Sequence, residues 1–343
     1  MTKNNNQRFQ EQCYTGLKMS KGRVRFLRTP NHHGYSVKFS PFDPNLIAAA
    51  TGQNFGLSGG GKLITADLGL PGDSVLCCFD WKDALFDLTW SEQNPHNIVT
   101  ASGDGSLHFW DITKPQAPLM VYQEHLKEAY SLDWSQTRDH QLFISASWDT
   151  TLKLWDPNRR KSIVTMTGHE ANVYQCAWSP HLSGCVASVS GDGTLRMWNT
   201  TKESGPSMTI HAVDGEALSC DWCKYNQNII ATAGTDARIL GWDLRQPRHP
   251  VFVLTGHGYP VRRVKFSPFN ETQLASVSYD FTTRLWDHSV PSPCLEVMES
   301  HTEFVYGLDF SNHQESVMAD CAWDQTIGIY NMNNRTLPLN QPL

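Results

Sequence analysis

The sequence lacks the features that place proteins in membranes or on nucleic acids. No apolar run in its 343 residues approaches the roughly 20 residues that a membrane-spanning helix requires. The first twenty residues lack the hydrophobic core of a secretory signal. Acidic residues outnumber basic ones by 34 to 28, and this balance argues against a nucleic-acid surface, which needs a basic stripe. Nine cysteines at irregular spacing are typical of reduced thiols. We therefore expect a soluble intracellular protein.

Motifs for metal or phosphate chemistry are also missing. Cys220 and Cys223 have the spacing of half a zinc or redox site, but no second pair completes it. Cys220 falls on an alternating strand pattern, which is typical of a buried, inert thiol. The glycine-rich stretch at 52–61 lacks the Lys-Ser/Thr pair of a phosphate loop and opens no helix, so we predict a long hairpin there. We expect no cofactor, no metal and no enzymatic activity.

One short pattern recurs along the chain. An acidic residue stands in a predicted turn, an aromatic residue ends a strand six positions later, and Asp or Asn follows it, as in residues 148–156. Successive aromatic residues are 43 to 45 positions apart. A degenerate copy of the pattern at Ala66 and Asp67 brings the number of units to seven. A period of this length with this ending is similar to that of the WD-repeat family. The complete pairs are Asp104 and Trp110, Asp149 and Trp155, Asp192 and Trp198, Asp236 and Trp242, Asp280 and Trp286, and Asp324 and Tyr330.

The resemblance to WD-repeat proteins implies an all-β fold, a seven-bladed WD-repeat β-propeller. Residues 24–28 alternate apolar and polar side chains and precede His33, as an outer strand precedes the opening His of the later units. The last unit ends at Asn331, so we predict that the ring is closed by the N-terminal strand pairing with blade seven. Residues 23–343 form the propeller in this prediction, and the polar residues 1–22 form a disordered extension.

The same resemblance implies a hydrogen-bonded chain inside several blades, made of the opening His, a Ser two before the turn Asp, that Asp and the Trp. Repetition at one period argues against reading these sets as Ser-His-Asp catalytic triads, because catalysis needs one site. Units with Gly234 or Ala322 in the serine position are expected to depend more on sheet packing, as are unit one, which lacks the Asp–Trp pair, and unit two, which lacks the His. The complete sets are His125, Ser147, Asp149 and Trp155; His169, Ser190, Asp192 and Trp198; and His257, Ser278, Asp280 and Trp286.

Aligning the units predicts which residues surround one opening of the ring, the top face of the family. Seven residues fall at the innermost position, and three aromatic residues stand just before turn aspartates, with acidic residues beside them. Flat apolar rings next to carboxylates suit an amphipathic helix that carries basic residues. A surface for any protein partner is the alternative. The innermost set is Tyr35, Phe86, Tyr130, Tyr174, Leu218, Arg262 and Tyr306; the turn residues are Trp148, Tyr279 and Trp323; the acids are Asp83, Glu128, Glu216 and Glu303.

Several stretches outside the repeat ending resemble the peroxin-7 family, the receptors for the type 2 peroxisomal targeting signal. They are residues 28–30, 85–91, 219–226, 261–269 and 301–310, and the similarity runs from Val24 to Asn331. The resemblance implies a cytosolic import receptor that cycles to the peroxisome and binds an Arg-led amphipathic helix at the N-terminus of matrix proteins such as thiolase. It also implies a co-receptor that leads the complex to the docking complex, without membrane insertion by the receptor itself.

For such a helix we expect Asp83 and Glu128 to bind the leading Arg. The apolar floor is predicted to be Phe86, Tyr130, Trp148, Tyr279, Tyr306 and Trp323, with Arg262 ordering the acids or reaching a helix C-terminus. Two other functions stay open at this point. Trp242 to Arg245 match the Trp-Asp-x-Arg element of substrate adaptors of cullin-type ubiquitin ligases. A nuclear scaffold that binds histone tails through the same acidic rim is the other.

Overall fold

The computed structural model describes residues 24–70, 75–114, 117–136, 141–201 and 205–332. The expectation for residues 1–22 lies outside this range. The described residues form strands β1 to β28 and one short 3-10 turn at Asn54–Gly56. No helix among them is long and apolar enough to span a membrane. The strands are arranged as seven four-stranded antiparallel sheets, the blades.

The first four blades take the chain from His33 to His211, each running from its innermost to its outermost strand. Blade one is β2 (His33–Phe39), β3 (Leu46–Gly52), β4 (Gly61–Asp67) and β5 (Val75–Trp81); blade two is β6 (Leu85–Trp90), β7 (Asn97–Ser102), β8 (Ser106–Asp111) and β9 (Met120–Gln123); blade three is β10 (Ala129–Trp134), β11 (Phe143–Ser147), β12 (Leu152–Trp155) and β13 (Val164–Met166); blade four is β14 (Val173–Trp178), β15 (Cys185–Ser190), β16 (Thr194–Asn199) and β17 (Met208–His211).

The last three blades complete the ring, and the seventh takes its outer strand from the start of the chain. Blade five is β18 (Ala217–Trp222), β19 (Ile229–Gly234), β20 (Ile239–Asp243) and β21 (Phe252–Leu254); blade six is β22 (Val261–Phe266), β23 (Gln273–Ser278), β24 (Thr283–Asp287) and β25 (Cys294–Met298); blade seven is β26 (Val305–Phe310), β27 (Val317–Ala322), β28 (Thr326–Asn331) and β1 (Val24–Arg28). The seven-bladed propeller predicted from the period is confirmed.

The predicted closure of the ring by the N-terminal strand is confirmed. Strand β1 pairs antiparallel with β28, so that Val24 lies opposite Tyr330 and Arg28 opposite Thr326. The Arg25 guanidinium also crosses to blade one, where it donates to the carbonyl of Leu68 at 2.7 Å. Joining the two ends of the chain in one sheet leaves no open gap between the first and last blades.

The hydrophobic core lies between neighbouring blades. The second strand of each blade is almost wholly buried, because it lies in the middle of its sheet and both of its faces are covered. Between blades one and two, for example, Leu63 and Phe79 pack against Leu88, Trp90 and Trp110. Seven such layers arranged in a circle fix every innermost strand around a central channel.

Each innermost strand carries a β-bulge near its start, at the third residue in blade one and at the second in the other six blades. The pairing of β10 with β11 skips Tyr130, and β22 with β23 skips Arg262 in the same way. A bulge leaves the extra residue unpaired and redirects its side chain. The skipped residues, Tyr35, Phe86, Tyr130, Tyr174, Leu218, Arg262 and Tyr306, are the seven innermost positions predicted from the repeats.

The hydrogen-bonded chains exist in blades three, four and six, but the predicted serine was wrong. In blade three His125 contacts Asp149 at 2.8 Å and the Ser145 hydroxyl at 2.7 Å, and Trp155 Nε1 donates to Ser145 at 2.8 Å. Ser147 instead accepts from the backbone N–H of Asp149 in the turn. Serines two apart share a strand face, so the sequence pattern does not separate them. Ser188 and Ser276 likewise take the roles predicted for Ser190 and Ser278.

Blade seven also has the chain, contrary to the prediction from Ala322. Asp320 replaces the serine: His301 contacts Asp324 at 2.9 Å and Asp320 at 2.8 Å, and the Tyr330 hydroxyl donates to Asp320 at 2.9 Å. Burial alone would lower the pKa of His301, but the two carboxylates raise it to about 10. In blade six, where His257 has one carboxylate partner, burial lowers the pKa of that histidine.

Blades five and two use other partners. In blade five Trp242 Nε1 donates to the Thr232 hydroxyl at 2.9 Å, and Arg238 pairs with Asp236 in the turn. In blade two Trp81 occupies the place of the missing histidine and donates to Asp104 at 3.3 Å. The turn aspartate is therefore bonded to a side chain in both blades.

Candidate functional site

The predicted site residues lie at one end of the ring, which we call the rim. Asp83, Glu128, Glu216 and Glu303 stand in the loops that lead into innermost strands. Trp148, Tyr279 and Trp323 follow directly after second strands. Because neighbouring strands are antiparallel, the start of an innermost strand and the end of the second strand are at the same end of the blade.

An aromatic cluster fills the channel mouth at the rim. Tyr35, Phe86, Tyr130 and Tyr306 are packed together, with ring centroids about 5 Å apart around the circle from Tyr306 through Tyr35 and Phe86 to Tyr130. Trp148 stacks on Tyr130 at 5.0 Å and Trp323 on Tyr306 at 4.8 Å. Tyr279 donates its hydroxyl to the Tyr306 hydroxyl at 3.1 Å. The structure thus brings the predicted aromatic residues into one group.

The depth of these residues differs from the prediction of an exposed floor. Phe86, Tyr130 and Tyr306 are only 7%, 6% and 7% exposed. The bulges point all seven innermost side chains towards the axis, where they cover one another, and no sequence pattern specifies that depth. Three of the predicted floor residues, Trp148, Tyr279 and Trp323, are half-buried and reach the surface, as does Tyr174. The buried tyrosines are a supporting layer beneath them.

Arg262 does not order the acids, and this part of the prediction was wrong. Its side chain is 2% exposed, and its guanidinium lies 5.0 Å from the Tyr130 ring and 5.1 Å from the Tyr306 ring. Nη1 also donates to the carbonyl of Leu218 at 3.4 Å. Such contacts with ring faces stabilise a desolvated cation. Arg262 therefore places a buried positive charge between the Tyr130 and Tyr306 rings of the aromatic cluster.

The rim acids retain capacity for a cation. Asp83 accepts from the backbone N–H of Ala84 at 2.7 Å, and burial, together with the charges of Asp104 and Glu128, raises its pKa. Asp83 and Glu128 stand directly before the innermost strands of adjacent blades, β6 and β10. Lys82, the nearest base in sequence, pairs with Asp104 at 3.1 Å. Among the described residues no Lys, Arg or His lies within ion-pair distance of Asp83 or Glu128.

The two other predicted acids are more exposed. The Tyr174 hydroxyl donates to Glu216 at 2.9 Å, so this carboxylate has one fixed neutral partner. Glu303 is exposed at the rim of blade seven, next to Phe304. Leu218, the predicted innermost residue of blade five, is 5% exposed and belongs to the lining of the channel.

A row of rings that the sequence reasoning missed runs along blades six, seven and one. Phe55 stacks on the His33 imidazole at 4.0 Å and lies 5.3 Å from Trp323. Phe304 is 5.4 Å from Trp323, and Phe281 is 5.8 Å from Phe304. We call His33, Phe55, Trp323, Phe304 and Phe281 the aromatic arc. Phe304 was identifiable, because it stands three after the repeat His301; the glycine-rich loop around Phe55 gave no such signal.

The other candidates from the sequence lie away from the rim group. The Arg245 guanidinium is exposed and bonded to Asp243 at 2.6 Å, in its own turn. Cys220 and Cys223 are buried, and burial raises the pKa of Cys220. No group of three metal-binding side chains occurs among the described residues. The stretch at 52–61 is the predicted hairpin, with Gly52 paired to Gly61.

Fold and rim together define a seven-bladed β-propeller whose channel mouth presents aromatic side chains beside carboxylates. The repeat family described as "WD domain, G-beta repeat" matches residues 116–156, 160–199, 248–287 and 292–331.

The matches to individual curated proteins are more specific than the match to the repeat family. The chain is 53% identical over 168 residues to the peroxisomal targeting signal 2 receptor of Homo sapiens, covering 49% of this chain and 52% of that protein. It is 34% identical over 200 residues to the receptor of that name from Saccharomyces cerevisiae, covering 50% and 53%. Peroxisome biogenesis protein 7 of Arabidopsis thaliana is 42% identical over 135 residues, covering 38% and 42%.

The chain spans about half the length of the curated relatives it matches. The resemblance to type 2 targeting-signal receptors predicted from the sequence is confirmed at this level. None of these three relatives has the name of a ubiquitin-ligase adaptor, so the comparisons do not support that alternative.

Proposed function

We propose that the protein is an import receptor whose rim binds the N-terminal type 2 targeting signal of peroxisomal matrix proteins such as thiolase. The observation that carries the proposal is that Asp83 and Glu128, carboxylates without a described cation partner, stand in adjacent rim loops beside the aromatic cluster. The names of the similar proteins support the same ligand class.

The geometry favours one mode of binding for an Arg-led amphipathic helix. Burial is the main cause that raises the pKa of Asp83, and the negative charges of Asp104 and Glu128 add to it, so a guanidinium at these rim loops compensates charge there. Its N–H groups form strong, charge-assisted bonds with carboxylates. The buried charge of Arg262 disfavours a second cation at the centre of the rim, so it directs basic side chains outward to the acids. The apolar stripe then packs on the half-buried rings of Trp148, Tyr279 and Trp323.

The proposal includes the transport cycle. The receptor binds its cargo in the cytosol, joins a co-receptor that leads the complex to the docking complex, and cycles to the peroxisome without inserting into the membrane. Its role is non-enzymatic: the three serine-containing His–Asp sets are structural, because each bonds to a tryptophan within its own blade.

Titration of a fluorescent signal peptide into the purified protein tests the function. We expect saturable binding that weakens at least about ten-fold when the leading arginine of the peptide is replaced by glutamine, since an unpaired desolvated charge typically costs about 2–5 kcal/mol. A scrambled peptide of equal charge is the control. Equal binding of the scrambled peptide, or preferential binding of a lysine-rich histone-tail peptide, contradicts the receptor function.

A further inference from the structure

The hairpin turn of blade one, residues 53–60, covers part of the aromatic cluster. It leaves the sheet at Gly52, returns at Gly61 and contains the one 3-10 turn of the described residues. Gly56 has φ +70°, and a Cβ there would lie 2.6 Å from the Tyr35 hydroxyl and 2.9 Å from the Phe86 ring. A glycine is therefore required at this point of closest approach. The turn thus adds to the cover over Tyr35 and Phe86.

The turn holds its shape by its own hydrogen bonds. The backbone N–H of Gln53 donates to Gly60 at 2.9 Å, the N–H of Gly60 donates to the Gln53 side chain at 2.9 Å, and Asn54 donates to the Ser58 hydroxyl at 3.2 Å. Asn54 and Phe55 both adopt left-handed backbone, with φ 44° and 56°. Two consecutive non-glycine residues in this region are strained, and such strain persists where the surroundings fix it and concentrates at ligand-binding sites.

This strained shape places two large apolar side chains at the surface. Phe55 stacks on His33 beside Trp323 and stays 46% exposed, and Leu57 at the tip is 88% exposed. Phe55 belongs to the aromatic arc, so the apolar surface is continuous from blade six to the turn. We infer that residues 53–60 form the apolar wall of the peptide site, on which the apolar stripe of the signal helix docks through Phe55 and Leu57.

Charge complementarity identifies the occupant, and this step rests on the proposed function. Gly56 approaches one edge of the Phe86 ring, at Cε1; Gly103 approaches the other edge, where an added Cβ would lie 3.3 Å from Cε2 and 3.0 Å from an Asp83 oxygen. The wall and Asp83 thus flank the same ring. A helix is about 10 Å across with its side chains, so one helix seated over Phe86 contacts both. That helix needs an apolar face and a cation, as the Arg-led signal has.

The test compares two leucines with the same exposure. Leu57→Ser removes the tip of the wall, and Leu126→Ser is the matched control, because Leu126 is 89% exposed in the rim loop of blade three. Titration with the fluorescent signal peptide is expected to show at least about ten-fold weaker binding for Leu57→Ser, which loses the burial of one leucine. Binding by Leu126→Ser stays within about two-fold of wild type, and both variants melt at the wild-type temperature.

A variant of the signal peptide distinguishes direct contact with Leu57 from an indirect effect of the substitution on the site. Replacing an apolar-stripe residue of the peptide by alanine weakens binding to the wild type, and in Leu57→Ser the same replacement has a smaller effect if the two side chains touch. If Leu57→Ser and Phe55→Ser both bind the signal peptide as tightly as the wild type does, residues 53–60 are not the apolar wall of the site, and the receptor function stands. Equal losses for Leu57→Ser and Leu126→Ser also overturn it. No binding by the wild type refutes the proposed function itself.

Discussion

The two ends of the central channel use their charged residues in opposite ways. At the end away from the rim, Asp133, Asp221 and Asp309 each accept a hydrogen bond from a backbone N–H of the next blade, at 2.7, 2.8 and 2.9 Å. Asp221 also pairs with Lys224 at 3.2 Å and Lys265 at 3.5 Å. These carboxylates join blades to one another, and lysines of the same cavity balance their charge.

The rim carboxylates have no comparable duty. Among the described residues the Asp83 carboxylate bonds only to the N–H of the residue that follows it, and Glu216 accepts from the Tyr174 hydroxyl of blade four, so neither bonds a backbone N–H of another blade. The far-end carboxylates already have backbone and lysine partners, whereas Asp83 and Glu128 have no cation partner among the described residues. The comparison therefore assigns stability to the far end and binding to the rim, and each of the following changes tests that division.

The largest effect is expected from Asp221→Ala at the far end. The change leaves Lys265 and Lys224 short of a partner and the N–H of Phe266 unbonded, so the free energy of unfolding falls by about 3–5 kcal/mol. Urea unfolding measures it, with exposed Glu303→Gln as the control of unchanged stability. Peptide affinity of the folded protein stays at the wild-type value. Lost affinity at unchanged stability contradicts the division.

At the rim, Asp83→Asn and Glu128→Gln are expected to have the opposite effect to Asp221→Ala: affinity for the peptide falls and stability is unchanged. Each is expected to weaken peptide binding by about 2 kcal/mol or more, roughly thirty-fold, with no change in urea unfolding. Glu170→Gln, an exposed rim acid of blade four away from the pair, is the matched control and retains affinity. Unchanged affinity in both variants removes the acid pair from the site.

The sequence predicted this division only in part, for reasons visible in particular residues. The repeat period registers each innermost strand, so the position of Tyr130 on its blade follows from counting. Its depth depends on the bulge that skips it and on the neighbours that converge on the axis, which counting does not contain. Asp320 of blade seven was missed because the serine was expected two residues before the turn aspartate, whereas the bonded position lies four before it, where blade seven has an aspartate. The wall around Phe55 depends on left-handed backbone, which glycine content suggests but does not specify.

A rigid rim also requires the hydrogen-bonded chains that fix the turns below it. Ser276→Ala leaves His257 and Trp286 without their shared partner in the core of blade six, and about 1–3 kcal/mol of stability is lost. Ser278→Ala removes the bonds to the Tyr259 carbonyl and the Asp280 N–H in the turn but leaves His257 and Trp286 with their shared partner, and costs about 1 kcal/mol. Urea unfolding of the pair measures the difference. A larger loss for Ser278→Ala restores the serine assignment predicted from the sequence.

The last prediction concerns the dependence of stability on pH in blade seven. The pKa of His301 is raised from 6.5 to about 10, so its charged contacts contribute fully below about pH 6.5 and are lost as the pH rises towards 10. Between these values the unfolding free energy falls by at most about 1.4 kcal/mol per pH unit. Asp320→Ser gives this blade the serine of its neighbours, and the pKa of His301 then moves towards that of His257, which burial lowers.

The decline of stability between pH 7 and 9 therefore flattens in Asp320→Ser, and urea unfolding at the two pH values measures it. Glu170→Gln, a change of an exposed carboxylate in blade four that leaves the His301 contacts intact, is the control and keeps the decline. If both variants flatten equally, the contacts of His301 do not set the pH dependence. Blade seven joins this titration to the rim, because Asp324, the partner of His301, directly follows Trp323 there.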